Sequence, residues 1–384
     1  MPADQPDLPA SGPRPGPALS PVPPASRPGR RAARGARAAR SARSAVLAPL
    51  GLAAVLALTA CSGGSAPAGG GEDTSPPAAD GVAGSPAVDA GFTPVELDNC
   101  GFATTVEDPP ERVVTIKSST LELLLALGLG DRVVGAAFLD GEVPERYADA
   151  AADVPVIADS APGREAVLAL EPDLVFAGWE SNFSADGAGE RAELEAVGVT
   201  TYVAPAACRT EGYRPNPLTF EDVFADITEA GDILGVPDAA ADLVAEQRAT
   251  LAAVDPDDRG LRALWYSSGS DVPYVGAGIG APQMIMEAAG LENVAASVED
   301  SWTSFGWEQI AEADPEVIVL VDAAWNTAEQ KIALLEANPT VSRLAAVREG
   351  RYVVIPFPST EAGVRNVDAV AQLVEDLAAI EVAP

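Results

Sequence analysis

The side chains best suited to chemistry fall in short stretches that each follow an apolar run. Lys117-Ser118-Ser119-Thr120 offers an ammonium, three hydroxyls and the start of a helical pattern. That combination suits an anionic group at a helix N-terminus, and it serves equally well as a plain N-cap. "GWESNFS" sets Trp179 beside Glu180 and Asn182, and "VAPAACR" ends in Arg209. "WYSSGSDVPYVGAGIGAP" brings Ser267, Ser268 and Tyr274, then Gly276, Gly278 and Gly280. "DAAWNT" adds Trp325 and Asn326, and "PFPSTEAGVRN" adds Phe357 and Arg365. Indole faces stack flat conjugated rings, and guanidinium groups pair with phosphate or carboxylate. With Lys117, Arg209 and Arg365 as the cations, these stretches describe a site for a small, anionic, conjugated molecule. The three glycines match neither the phosphate-loop nor the dinucleotide spacing, so they are read as letting backbone approach a ligand. The competing reading is that the tryptophans cap hydrophobic cores, as Trp265 does inside a strand pattern.

The composition removes several classes of function. The 384 residues contain no histidine, which excludes His-based triads, most zinc sites and the commonest general base. No paired carboxylates or Ser/Lys set shows diagnostic spacing, so neither an enzyme, nor a cofactor, nor a metal site is expected. The net charge is −33. Eight arginines and two acids in residues 1–60 make that part +6 and leave −39 on the rest. Such a surface repels nucleic acid and anionic lipid; an anion binder must reverse the field locally.

The elements that position these stretches alternate strictly. "RVVTI" (112–116) reads as a strand, "STLELLLALGL" (119–129) as a helix and "RVVGAA" (132–137) as a strand. Strand and helix alternate again through "AVLALEPDLVFAG" and "AELEAVGVTTYVA". After residue 258, "RALWYSS", "APQMIMEAAGLENV", "EVIVLVD", "ALLEANPTVSRLAAV" and "RYVVIPF" resume the rhythm. This predicts an α/β fold of two Rossmann-like lobes with mainly parallel sheets. Between them, Val223, Phe224, Ile227, Ala230, Ile233 and Leu234 form one helical stripe; Gly235 and Pro237 break it, and 239–254 makes a second helix. The lobes are therefore expected at 95–235 and 257–384, joined by a helix at 236–256. "REAVLALEPDLVFAG" at 164–178 is echoed by "WEQIAEADPEVIVLV" at 307–321, with Glu165 on Glu308, Val167 on Ile310 and Pro172 on Pro315.

The first 94 residues are of another kind. Arg27, Arg30, Arg31, Arg34, Arg37, Arg40 and Arg43 precede the apolar run "SAVLAPLGLAAVLALTAC". A basic stretch, a short apolar stretch and small residues before Cys61 read as an export signal over 1–60. Residues 61–94 are a Gly/Ser/Pro tether with too few apolar side chains to fold. Two further cysteines, Cys100 and Cys208, are expected to pair in an oxidising compartment; a reactive thiol pair is the alternative.

"LTAC" resembles a bacterial lipobox, in which Cys61 is diacylated. Together with "PPERVVTI", "REAVLALEPDLVFAG", the helical connector and "WEQIAEADPEVIVL", the chain resembles the substrate-binding lipoproteins of ABC importers. The likeness is to the helix-linked class that captures ferric siderophores, haem and cobalamin, and it covers residues 95–380. "TIKSSTLELLLALGLGDRVVG", "GWESNFSADGAGER", "LWYSSGSDVPYVGAGIGAPQMI" and "PFPSTEAGVRNVDA" look closer to a subgroup assigned to a precursor of the deazaflavin coenzyme F(420). The resemblance implies a monomer anchored to the membrane by lipid, which binds its ligand between the lobes and delivers it to a permease dimer with its ATPase. It also implies that Glu165 and Glu308 dock on arginines of that permease. A glutamate in the first turn is favoured by the helix dipole alone, so helix chemistry is the plainer alternative for each.

Overall fold

A computed structural model of the protein describes residues 91–382. The export signal, Cys61 and all but the last four residues of the 61–94 tether lie outside the described residues.

The described chain opens on an antiparallel hairpin, β1 (Val95–Asn99) and β2 (Phe102–Val106). The first lobe follows as β3 (Val113–Ile116), α1 (Ser118–Ala126), β4 (Val133–Ala137), α2 (Ala148–Ala151), β5 (Val156–Ala158), α3 (Arg164–Leu168), β6 (Leu174–Ala177), α4 (Arg191–Glu195) and β7 (Thr200–Val203). Its five strands are parallel, in the order β5-β4-β3-β6-β7. All four residues of β3 and all four of β6 are buried. Both faces of the sheet are covered, which is why "VVTI" and "LVFA" run apolar instead of alternating. The strand order reverses between β3 and β6, so the loops leaving their C-terminal ends flank the crevice where open α/β sheets bind ligands.

Two helices come next, α5 (Phe220–Ile233) and α6 (Pro237–Ala252). The Thr219 hydroxyl caps α5 by accepting from the Asp222 amide, and the Asp222 carboxylate accepts in return from the Thr219 amide, a reciprocal cap. Val223, Phe224, Ile227, Ala230, Ile233 and Leu234 are all buried, as their spacing predicts. Gly235 takes a left-handed φ of 69° and Pro237 opens α6, the usual pairing of a helix stop with a helix start.

The second lobe contains β8 (Arg262–Ser268), β9 (Tyr274–Gly276), α7 (Ala281–Ala288), β10 (Glu292–Asn293), β11 (Trp302–Ser304), α8 (Trp307–Ala313), β12 (Val317–Asp322), α9 (Ala328–Ala337), α10 (Ala345–Arg348), β13 (Tyr352–Pro356) and α11 (Asn366–Ala378). Its sheet runs β11-β9-β8-β12-β13, with β10 beside β8. Strands β8, β12, β13 and β10 are parallel, whereas β9 runs antiparallel to both of its neighbours, β8 and β11. The helical reading of "ALLEANPTVSRLAAV" is corrected. α9 ends at Ala337 because Pro339 follows, and α10 begins only at Ala345.

The echo in the sequence is an echo in three dimensions. Gly163 and Gly306 are extended N-caps, and Glu165 and Glu308 stand exposed in the first turns of α3 and α8. Val167 and Ile310 are fully buried. In each copy an arginine opening the neighbouring strand holds the end of the helix. Arg112 donates to the carbonyls of Leu170 and Glu171, and Arg262 to that of Ala313. The acid after each proline, Asp173 or Glu316, accepts from the backbone N–H of the same arginine.

Candidate functional site

Between the lobes lies a cleft of about 530 Å³, within the range of small-molecule sites. From the first lobe it takes the loop after β6, with Trp179 and Glu180, and the segment after β7, with Cys208, Arg209 and Arg214. From the second it takes Ser267, Ser268 and Tyr274, the ring of Trp302, the loop after β12 with Trp325, and the turn 357–362 after β13. Five aromatic rings thus face one cavity from two lobes. Tyr274 stacks on Trp302 at 6.1 Å and 15°, and Trp325 meets Phe357 edge-on at 5.9 Å. Trp325 is 60% exposed, a large apolar surface left to solvent at the cleft.

Of the residues expected from sequence, Ser119, Trp179, Glu180, Arg209, Ser267, Ser268, Tyr274 and Trp325 line this cleft. Lys117, Ser118, Thr120, Asn326 and Arg365 do not. The Lys117 ammonium is buried, ion-paired with Asp140, and lies 3.6 Å from the Trp179 ring centroid and 4.3 Å from that of Phe138. It is the support behind Trp179 instead of a cation offered to an anion. Burial raises the Asp140 carboxyl, and the nearby ammonium opposes that rise. The Ser118 hydroxyl accepts from the Asp140 amide, and the Thr120 hydroxyl donates to the carbonyls of Ile116 and Lys117. Neither reading describes this stretch: Lys117 and Ser118 are taken up by Asp140, and no side chain of the stretch caps the first turn of α1. Lys117 itself holds φ 90°, a strained value for a side-chain-bearing residue. Gly178 makes that packing possible, since a Cβ there would meet Lys117 Cβ at 2.7 Å.

Arg365 is likewise engaged. It spans the lobes with two 2.5 Å hydrogen bonds to the buried Glu122 carboxylate and a third to the carbonyl of Glu142. Burial raises the Glu122 carboxyl, and Arg365 pulls it back. Asn326 turns inward, and its backbone carbonyl accepts from the buried Lys331 ammonium. Gly276 and Gly278 make room for protein, not for a ligand. A Cβ on Gly276 would strike Pro282 at 2.4 Å, and one on Gly278 the carbonyl of Ala296 at 2.0 Å.

The exposed Arg209 guanidinium has no partner among the described residues, while its backbone N–H donates to the Glu180 carboxylate. Arg214, also lining the cleft, pairs with Asp300 of the opposite lobe at 3.1 Å. Cys100 and Cys208 form a disulfide, which ties the turn of the β1–β2 hairpin to the cleft wall just before Arg209. Arg214 and Trp302 sit in stretches without periodic signal, and Glu361 sits in one read for Phe357 and Arg365; only the folded chain brings the three to the cavity. No cluster of three or more His, Cys, Asp or Glu able to hold a metal is found among the described residues. None of the described helices is long and apolar enough to cross a membrane.

Comparison with known proteins agrees with the fold. A family model described as "Periplasmic binding protein" matches residues 113–358. An uncharacterized ABC transporter substrate-binding lipoprotein of Bacillus subtilis is 26% identical over 293 residues, covering 74% of this chain and 85% of that protein. A cobalamin-binding protein of Halobacterium salinarum is 29% identical over 279 residues, covering 69% of this chain and 68% of its own length. Among solved structures, an ABC-type Fe3+-hydroxamate transport system protein from Saccharomonospora viridis superposes with a TM-score of 0.62 at 28% identity, over 74% of this chain and 98% of that one.

Proposed function

The chain belongs to the periplasmic binding protein family, and from that premise we propose that it is the lipid-anchored, extracytoplasmic substrate-binding component of an ABC importer. It captures a small, conjugated, anionic molecule such as a deazaflavin coenzyme precursor between its lobes and hands it to a permease dimer with its ATPase. The observation that carries the reading is the cleft at the strand-order switch, lined by Trp179 and Arg209 from one lobe and Tyr274, Trp302, Trp325 and Phe357 from the other. Flat rings stack on such surfaces, and Arg209 supplies a cation within a chain of strong negative charge. Export and anchoring rest on the basic-apolar-Cys61 pattern, and the relative named a lipoprotein supports them. Docking through Glu165 and Glu308 rests on their matched, exposed places on α3 and α8.

The hydroxamate and cobalamin names carried by similar proteins favour a second reading, a ferric-siderophore or cobalamin binder. Tryptophan quenching of the purified mature chain separates the two. Saturable quenching by a deazaflavin, with none by ferric hydroxamate or cobalamin, is the expected result. The reverse pattern replaces the ligand while leaving the transport role in place, and no quenching by any of them removes the small-molecule reading.

A further inference from the structure

The cleft contains one carboxyl group that the reading above leaves unused. Glu361 follows the buried turn Phe357–Thr360 of the second lobe and lines the cavity. Its Oε2 accepts a 2.5 Å hydrogen bond from Trp179 Nε1 of the first lobe, and its backbone carbonyl accepts from Asn366 Nδ2 at 2.7 Å. Its Oε1 receives no hydrogen bond among the described residues, and the residue is part-buried at the cleft. The charged groups acting on it are the Lys117 ammonium, which favours its ionised form, and the Asp140 carboxylate, which opposes it; burial outweighs both and pushes its carboxyl up to about 7.

We propose that Glu361 is the specificity-determining residue of the cleft, its Oε1 accepting a hydrogen bond from an N–H or O–H on the edge of a flat ring held against Trp179. The ligand class is a flat heterocycle with a donor edge, such as the imide of a flavin-type ring. This deepens the small-molecule reading and rests on it. Trp179 is already committed on one side, where Lys117 sits over its ring, so the ligand takes the surface turned to the cleft. The Trp179 bond to Oε2 and the seated turn before Glu361 leave the carboxyl little freedom, so Oε1 is presented at a set place. An ionised carboxylate only accepts. A ring edge carrying acceptors alone would set oxygen against oxygen in a desolvated site, which is how a hydrogen-bonding site rejects a near-isostere. The pH dependence follows in sign. A donor-edged ligand binds the ionised form, so its affinity rises as pH climbs through about 7, and an acceptor-edged ligand does the opposite.

The test uses the mature chain, 5-deazariboflavin, whose ring carries no group that titrates between pH 6 and pH 8, and its N3-methyl derivative, which lacks the imide proton, titrated at both pH values against wild type and Glu361→Gln. Wild type is expected to prefer the parent ring by about tenfold or more, the range of a hydrogen bond to a charged group, and to bind it more tightly at pH 8. Glu361→Gln, which turns an amide donor towards the ring, should lose both the preference and the pH dependence; Glu361→Ala, checked for fold by circular dichroism, should lose them too. Retention of preference and pH dependence by the variants overturns the proposal alone. Binding of ferric hydroxamate or cobalamin with neither flavin-type probe bound overturns the deazaflavin reading and this proposal together.

Discussion

Glu171 and Asp314 occupy the same step of two separate lobes and hold the same left-handed backbone, with φ 47° and 46°. Each follows a short helix, precedes a buried proline and leads into a central strand. Such a φ costs a residue with a side chain about 1–2 kcal/mol, so the bend between helix and strand is written twice against local preference. The arginines that close each bend, Arg112 and Arg262, hold it from the adjacent strand.

Replacing Glu171 by Val should therefore destabilise by roughly 1–3 kcal/mol, because a β-branched residue tolerates positive φ worst. Glu171→Gly should be neutral within about 1 kcal/mol, since strain relief is offset by freedom of the unfolded chain. Thermal unfolding of the two variants checks the pair; equal losses would show that the backbone is not the cause.

Reversing both exposed carboxylates, Glu165→Lys with Glu308→Lys, should leave ligand affinity within about twofold of wild type, as neither lines the cleft and distant sites act independently. Uptake by cells carrying the double variant should vanish. Undiminished uptake would sink the docking role and leave both residues as first-turn helix chemistry.

Lys117→Met should cost several kcal/mol, about 3–5 for a buried pair broken on one side, because Asp140 would stay buried without its cation. Adding Asp140→Asn should recover much of that loss. Chemical denaturation of both single variants and the double variant measures the coupling, and ligand titration of the double variant reports whether Trp179 still stacks without the ammonium behind it.

Asp226 on α5 lies largely buried near Glu229, and burial first, then that neighbour, pushes its carboxyl up to about 8. In the unfolded chain it ionises in the ordinary carboxylate range, so between about pH 4 and pH 8 the folded state holds the extra proton. Its contribution is complete at low pH and is lost as pH rises through about 8. Asp226→Asn should be more stable than wild type at pH 8.5, by a few degrees in Tm, and gain least near pH 4. A melting series over that range shows the difference; parallel curves would refute it.

The Cys100–Cys208 bridge closes a loop of 108 positions. The Cys100→Ser, Cys208→Ser double variant should lose roughly 2–5 kcal/mol. Affinity should fall as well, because Cys208 anchors the segment leading to Arg209. Unchanged affinity at a temperature where the variant is folded would show that the segment needs no tether.

Much of the fold was legible because it follows from periodicity. Parallel strands buried on both faces read as unbroken apolar runs, and the helix stripe of Val223, Phe224 and Ile227 reads at its 3.6-residue period. The β1–β2 hairpin was not legible, since its alternation is weak and its place is set by the disulfide and by Arg191. That buried guanidinium donates to Asn99 and Thr201, and burial lowers it to about 10. Strands β9 and β11 were missed for the same reason, each being three residues long and defined by its partner.

For the site, residue types and their placement after strand ends determined where ligand chemistry gathers, and Trp179, Arg209, Tyr274 and Trp325 do reach the cavity. Which charges remain available there was decided by the tertiary structure alone. Lys117 and Arg365 read as free cations in a chain of −33, yet each is spent on a buried carboxylate, Asp140 or Glu122, that lies remote in sequence. Glu361 lies inside "PFPSTEAGVRN", where residue type points to Phe357 and Arg365 instead, and it matters because folding sets it against Trp179, 182 positions away. Periodicity is a local property and survives in the sequence. The pairing of charges is a property of contact, within a lobe for Lys117 and between lobes for Arg365, and contact exists only once the chain has folded.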